Sequence, residues 1–522
     1  MRGRTTLIPS IADVLFITVF IRLLLSGSDL LSDSDTGLHI RAGRFILDAM
    51  TVPVHEPFTF LSPPLTFPSH EWLSEVVMAW LYAGFGLEGV VFFSCFVLAA
   101  TVYLFFKMLR ADDGNIILAA VILVLAVASS WTHWLARPHI FSIFFLVVWY
   151  YLLDDYQYRA TNRLYFLPPL MLLWVNLHAA FVLGFALTGL YLFGNIVRAR
   201  GSGGAEKEIF RGKVRALALV MGACIAASLV SPGGYHALLF PLKLGLSKVM
   251  TGHIGEYLSP DFHKPSFAAF EYMLLLMIAV FAFSKRSLNV MELLLVMLFT
   301  PMALYSSRHI PFFAVAAAPI LLRHADAILD RLEGRFAEFL KEGARRFASM
   351  GVSSRGSFWP AAVVLAALAF LAAGKMDYDF DEEKKPVEAV EFLKKEKIPG
   401  NMFNNDEFGD YMVYAAWPEY RVFMNGSYDA DKRYYTRMED YSKVFRIKPQ
   451  MDGVIEKYDI SWVIFNSGSS LSNFLLQRED WLLIYSDGVA DIFLKDTPEN
   501  ERLIEKYRDV KPVVKEEEDG AP

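Results

Sequence analysis

What most constrains this chain is a succession of apolar runs that fills the sequence before residue 375, most of them roughly 15 to 24 residues long. At about 1.5 Å of rise per residue, such a run reaches most or all of the way through the roughly 30 Å hydrocarbon layer of a bilayer. The runs fall near residues 8–31, 72–84, 89–106, 115–135, 138–153, 164–180, 181–197, 214–231, 269–284, 288–305, 309–322 and 358–374. In lipid every backbone N–H and C=O has to be paired within the chain, so these runs are helices. The pattern predicts a polytopic α-helical membrane protein with roughly 11 to 13 transmembrane helices.

Composition agrees and removes some alternatives. Hydrophobic residues make up 54% of the 522, Phe alone contributes 43, and the formal net charge is -6. Nucleic-acid binders concentrate Lys and Arg on one face, so no nucleic-acid partner is expected. Cys95 and Cys224 both sit inside apolar runs, where a thiol behaves as a small hydrophobe; neither a disulfide nor a cysteine metal site follows. The N-terminal stretch MRGRTTLIPSIADVLFITVFIRLLL has a long core, carries Asp13 and Arg22 and lacks a small-residue cleavage site. It reads as a retained first helix rather than a signal peptide.

Orientation follows from the basic loops. Residues 198–215 carry Arg198, Arg200, Lys207, Arg211, Lys213 and Arg215, and residues 323–355 carry seven Lys and Arg. Both are expected in the cytoplasm, together with Arg2 and Arg4. The helix at 358–374 then delivers the C-terminal region to the opposite side, and the first helix delivers residues 31–73 there. One conflict remains: if 71–84 spans fully, the basic 198–215 loop is hard to keep inside. Either 71–84 is only partly inserted, or 164–195 does not make two full spans.

The expected domains are a membrane domain over 1–375, with external loops at 32–71 and 232–268, an external α/β domain over 376–510, and a disordered tail over 511–522. In the α/β domain, helical patterns at 386–397, 431–444, 449–458 and 499–508 alternate with strand-like runs at 421–424, 462–465, 481–485 and 490–494.

The first external loop holds the densest chemistry. Asp33 and Asp35, two residues apart at the mouth of a membrane helix, suit a divalent cation or a base that takes a proton from a hydroxyl. They equally suit the cap of an amphipathic interfacial helix over 36–50. His39 follows Asp35 by one turn, Arg41 suits substrate or lipid phosphate, and His70 and Glu71 return to the boundary before Trp72. At membrane depth stand Arg137 with His139, Asn176 with His178, and Arg308 with His309; such groups normally face a cavity or a partner. In the second loop, Glu256 stands within reach of a headgroup, or is an ordinary surface charge.

DSDTGLHIRAGRFIL, VPVHEPFTF and HEWL, followed in order by ARPHIFS, WVNLHAAFVLG, SPGGYHALLFP, RHIPFFAVAAAP and FGDYMVYAAWPEYRVFMNGSYD, resemble bacterial multi-spanning proteins of the GT-C glycosyltransferase superfamily. The order of these stretches carries the resemblance over nearly the whole chain. It implies transfer of a sugar or glycan from a polyprenyl-phosphate carrier to a lipid, glycan or protein acceptor outside the membrane. The family's acidic residue after the first membrane helix, a catalytic base or metal ligand, corresponds to Asp35, with Asp33 as alternate. A divalent cation, Mg2+ or Mn2+, held by Asp33 or Asp35 with His39 would share the work, and Arg308 or Arg137 would hold the leaving phosphate. The chain departs from the pattern at Gly37 and Leu38, where an aromatic pair is expected, and at Glu56, where an Asp is. The resemblance places the protein in a bacterial inner membrane with its C-terminal domain outside. A transporter of lipid-linked sugars and a noncatalytic envelope scaffold are the competing classes.

Overall fold

The computed structural model describes residues 8–67, 70–112, 114–247, 255–352, 358–427 and 432–513; most of the expected tail lies outside them. The chain divides into two compact units, Met1–Leu30 with Phe85–Asp377, and Leu31–Gly84 with Tyr378–Pro522. The first external loop therefore groups with the C-terminal region rather than with the membrane helices.

The membrane unit is the expected polytopic helical assembly. Helices Ile116–His133, Ala179–Gly201, Pro265–Phe283, Ser307–Leu329 and Trp72–Leu109 are long and apolar enough to cross a bilayer, and Leu164–Leu177, Val290–Tyr305 and Phe358–Ala372 are shorter apolar helices. Some of these starts are set by side-chain caps that satisfy the first amides. Asn115 Oδ1 accepts from the N–H groups of Ile117 and Leu118 at 2.9 and 3.2 Å, and Asn289 and Glu292 form a capping box. The helix Ile310–Leu329 is the hub, packing against helices that begin at Ile116, His139, Ala268 and Val290. Its AVAAAP segment is fully buried, because small side chains let helix axes approach closely.

Polar contacts in this unit gather at two ends. At one, Arg137 meets Glu256, Asn176 Nδ2 donates to Val230 O, and Ala136 N donates to Leu30 O. At the other, Arg323 meets Asp154 and Glu292, Lys213 Nζ donates to Gln157 O, and Asn115 N donates to Asp326. The short helix Leu167–Leu177 thus has its C-terminal end beside Val230.

Gly86 bears on the conflict over residues 71–84. Trp72–Leu109 is 38 residues long, about 57 Å at helical rise and far more than the roughly 30 Å of hydrocarbon. Gly86 breaks it with φ 67°, a left-handed conformation that glycine adopts without penalty. The part before the break belongs to the second unit.

In the second unit four strands form a sheet of order β1-β2-β4-β3. They are β1 Asn401–Asn404, β2 Ile460–Asn466, β3 Trp481–Ser486 and β4 Ala490–Lys495. β1 runs parallel to β2, while β4 is antiparallel to both β2 and β3. Three of the expected strands are present. The run 421–424 is not one of them: Val422 makes only an isolated bridge with Thr59. The helix Asp406–Ala416 and β1 were not among the elements expected from the sequence. Asn405 caps that helix by accepting from Phe408 N, and the Trp417–Pro418 step ends it.

The loop helix Asp35–Ala49 lies against Asp406–Ala416. Two glycines permit its close packing: a Cβ at Gly43 would stand 1.8 Å from Glu75 O, and one at Gly37 would stand 2.7 Å from Tyr414 Cβ. Gly37 occupies the position where an aromatic was expected, and Tyr414 from the C-terminal region fills that space instead.

Candidate active site

Asp35 is the first residue of its helix. Asp33 Oδ1 accepts from the Asp35 N–H at 3.0 Å, so the first acid caps the backbone of the second. Asp35 is itself 8% exposed, and its carboxyl is hydrogen-bonded to that of Asp410 in the helix Asp406–Ala416. Gly426 marks the same spot: a Cβ there would lie 2.7 Å from Asp35 Oδ1 and 3.1 Å from Asp410 Oδ2, and its N–H donates to Asp410 Oδ1 at 2.6 Å. Two carboxyls can bond to each other only through a shared proton, so the pair carries one negative charge in this arrangement. Burial first, and then the charge of Asp35, hold the Asp410 carboxyl well above the usual carboxylate range.

Two networks hold the pair in place. Glu56 accepts from Phe58 N, Thr59 N and Thr59 Oγ1 at 2.9, 3.0 and 2.7 Å, and from Asn425 Nδ2 at 3.1 Å. It therefore ties the first loop to the residue beside Gly426. His39 Nδ1 lies 3.4 Å from Glu75 Oε1 and its Nε2 4.0 Å from Glu71 Oε2, which in turn is 3.6 Å from His70 Nε2. Burial, the largest influence on His39, opposes its charge. The Glu75 hydrogen bond and the charges of Glu71, Glu75 and Asp35 outweigh it and hold the imidazole above its ordinary value. Arg41 donates to Tyr414 O and lies over the Trp417 ring, so it braces the two helices.

In the membrane unit the sequence-flagged groups separate into two kinds. Arg137 Nη1 is 2.9 Å from Glu256 Oε1, and Arg308 Nη1 is 3.5 Å from Glu256 Oε2. Arg308 also donates to Tyr257 Oη at 3.2 Å. Burial favours the neutral acid at Glu256, yet the two guanidinium groups outweigh it and hold the carboxylate well below its ordinary value. The others have structural bonds: His139 Nε2 with His133 O, Asn176 Nδ2 with Leu172 O and Val230 O, His178 Nδ1 with Ser142 Oγ and Ala180 N, and His309 Nδ1 with Met302 O. Pairing to backbone is the usual use of a polar group at membrane depth.

The expected cation ligands Asp33, Asp35 and His39 do not fit a metal as they stand. Asp33 is bonded to the Asp35 amide, Asp35 to Asp410, and His39 to Glu75. Among the described residues no three His, Cys, Asp or Glu side chains are arranged to share an ion. Sequence reasoning missed Asp410, Glu75 and Asn425. Asp410 and Asn425 had one signal, a place inside the stretch FGDYMVYAAWPEYRVFMNGSYD, and Glu75 lies two residues beyond HEWL.

No protein-family model matches the chain, and no curated protein matches it in sequence. Solved structures do. The oligosaccharyltransferase of Archaeoglobus fulgidus in its apo form aligns over 93% of this chain and 74% of its own, with a TM-score of 0.53 and 12% identity. ArnT from Cupriavidus metallidurans in the apo state aligns over 92% of this chain and 97% of its own, with a TM-score of 0.51 and 12% identity. The chain shares the fold of these two proteins. The helix carrying Asp35 follows the first apolar helix, Ile11–Leu25, where the sequence resemblance located the acidic residue.

Proposed function

We propose that this protein is a membrane glycosyltransferase that moves a sugar or glycan from a polyprenyl-phosphate carrier to an acceptor at the outer face of a bacterial inner membrane. The observation that carries the reading is the buried Asp35 carboxyl, bonded to Asp410, in a chain of GT-C fold. A glycosyl phosphate already has a good leaving group, so an enzyme has to supply a base for the acceptor and positive charge for the departing phosphate. The ionised member of the Asp35–Asp410 pair accepts the hydroxyl proton as the acceptor oxygen bonds to the anomeric carbon and the bond to phosphate breaks. For the phosphate the candidate is Arg308, with Arg137 as the second, because the planar guanidinium fork suits it. A single displacement of this kind inverts the anomeric centre.

The test is a transfer assay in nanodiscs, with radiolabelled polyprenyl-phosphate sugars as donors and membrane extract as acceptor, comparing wild type with Asp35→Asn. Label should move to a new product in wild type and fall by about 100-fold or more in the variant, the usual scale for loss of a general base. Carrier movement across the bilayer with no transferred label, unchanged in Asp35→Asn, would make the protein a transporter instead.

A further inference from the structure

Asp326 follows Arg308 by 18 residues along the hub helix, about 27 Å at helical rise. At that end of the membrane unit it lines a cavity of about 700 Å³, the size of a small-ligand site. One wall is the hub helix and its end, with Asp326 and Asp330 one turn apart. The other is the helix Arg335–Val352, with Lys341 and Arg345 one turn apart. Asn115 joins the walls: its N–H donates to Asp326 Oδ1 at 3.0 Å and its Nδ2 to Leu340 O at 3.4 Å. Asp330 and Arg345 are exposed, so the cavity opens to the surface.

The charges on the two walls bond to backbone instead of to each other. The Asp326 carboxylate accepts from the Asn115 amide, and Arg110 is within electrostatic reach of it. Lys341 Nζ donates to Asp330 O and Leu332 O at 3.2 Å each, and Arg345 Nε to Lys341 O at 3.3 Å. An ammonium has three donors and a guanidinium five, so both side chains keep N–H groups for a further acceptor. Arg323, also in the lining, differs: it is paired with Asp154 and Glu292 at 3.4 and 3.0 Å. Like charges one turn apart repel, and each wall would be relieved by a ligand group of the opposite sign.

The position says what kind of ligand carries both signs. Phe339 and Phe347 are exposed on the helix Arg335–Val352, whose separate apolar and basic faces suit a helix lying in the headgroup layer of a bilayer. Leu109, Pro319 and Leu322 give the cavity an apolar side. The aromatic ring in the lining, Tyr158, is already engaged by Arg323, whose Cζ lies 5.6 Å from its centroid. A quaternary ammonium, which favours an aromatic face, gains little there. A primary ammonium can donate charge-assisted hydrogen bonds to the two carboxylates.

We propose that this cavity binds the headgroup of a zwitterionic phospholipid with a primary ammonium, its phosphate on Lys341 and Arg345 and its ammonium between Asp326 and Asp330. Phosphatidylethanolamine has that chemistry. The site lies at the opposite end of the hub helix from Arg308 and does not depend on the transferase reading.

The experiment follows the melting temperature of the full chain in detergent with short-chain phosphatidylethanolamine, phosphatidylcholine or phosphatidylglycerol of equal chain length, or with free phosphoethanolamine. Phosphatidylethanolamine should raise the wild-type midpoint by about 2 °C or more beyond the rise with phosphatidylcholine, as a ligand selective for the native state does. Phosphatidylglycerol, which has the phosphate without the ammonium, should not. The double variant Asp326→Asn with Asp330→Asn should lose that preference, phosphatidylglycerol then raising the midpoint as much as phosphatidylethanolamine. Asn at 326 can still accept from the Asn115 amide, and the preference is a difference between lipids within one variant, so a lower starting midpoint leaves it readable. Arg345→Gln should respond more weakly to every lipid. Equal rises with phosphatidylethanolamine and phosphatidylcholine in wild type, a rise confined to phosphatidylglycerol, or a preference kept by the double variant would each overturn the proposal. An equal response to free phosphoethanolamine would assign the site to a soluble ligand and overturn the lipid.

Discussion

At the scale of single residues, the chemistry rests on a pair that the sequence holds 375 positions apart, Asp35 and Asp410. Asp410 has its carboxyl held high by burial and by Asp35, so the folded chain grips that proton more tightly than the unfolded chain does. Its contribution to stability is therefore present at low pH and is lost as pH rises from about 4 through the raised value. Asp410→Asn should flatten that decline, seen as a variant whose melting temperature gains on wild type between pH 4 and 8. The same substitution removes a competing negative charge from Asp35, so the acidic limb of the transfer-rate profile should move to lower pH. An unmoved limb would show that the two carboxyls do not titrate together. Asp35 was legible in the sequence because acids at a membrane boundary are rare and need a reason. Asp410 was not, since nothing in FGDY distinguishes a catalytic neighbour from an ordinary surface acid until the fold brings it to Asp35. His139, Asn176, His178 and His309, read from the sequence as candidate substrate contacts, each make a hydrogen bond within the membrane unit.

At the scale of elements, long apolar periodicity was legible and short amphipathic contrast was not. The runs before residue 375 became helices because hydrocarbon leaves no other way to pair the backbone. The helix Asp406–Ala416 was missed because it is buried on most sides, which removes the polar stripe that signals a surface helix. It is buried because Asp35–Ala49 covers it, and that contact depends on backbone approach at the loop helix. Gly43 faces Glu75 O with no room for a methyl group. Gly43→Ala should therefore destabilise the chain by about 1–3 kcal/mol, the usual cost of overpacking, and should reduce transfer by displacing Asp35. Thermal melts of the full chain in nanodiscs read the first effect and the radiolabel assay reads the second. A fully active, fully stable alanine variant would show that this helix has freedom to move away from Glu75.

At the scale of the whole molecule, chain topology becomes a constraint that composition alone could not supply. Leu31–Gly84 and Tyr378–Pro522 form one compact unit, so both pieces have to lie on one side of the membrane. The chain between them must then cross an even number of times. That requirement fits only if the stretch before Gly86 stays out of the bilayer and the short helix Leu167–Leu177 counts as a crossing, as its bond from Asn176 to Val230 O favours. We propose on this ground that the basic end of the membrane unit, with Arg198 to Arg215 and the segment after Arg323, is cytoplasmic, as the positive-inside rule favours. Single cysteines test the arrangement directly, because the native Cys95 and Cys224 are buried. Asp48, Lys384 and Glu208 have side chains exposed by 77%, 68% and 62%. In spheroplasts, Asp48→Cys and Lys384→Cys should both react with a membrane-impermeant maleimide, and Glu208→Cys should react only after permeabilisation. Labelling of Asp48→Cys and Lys384→Cys from opposite sides would break the unit that brings Asp35 to Asp410, and the proposed reaction with it.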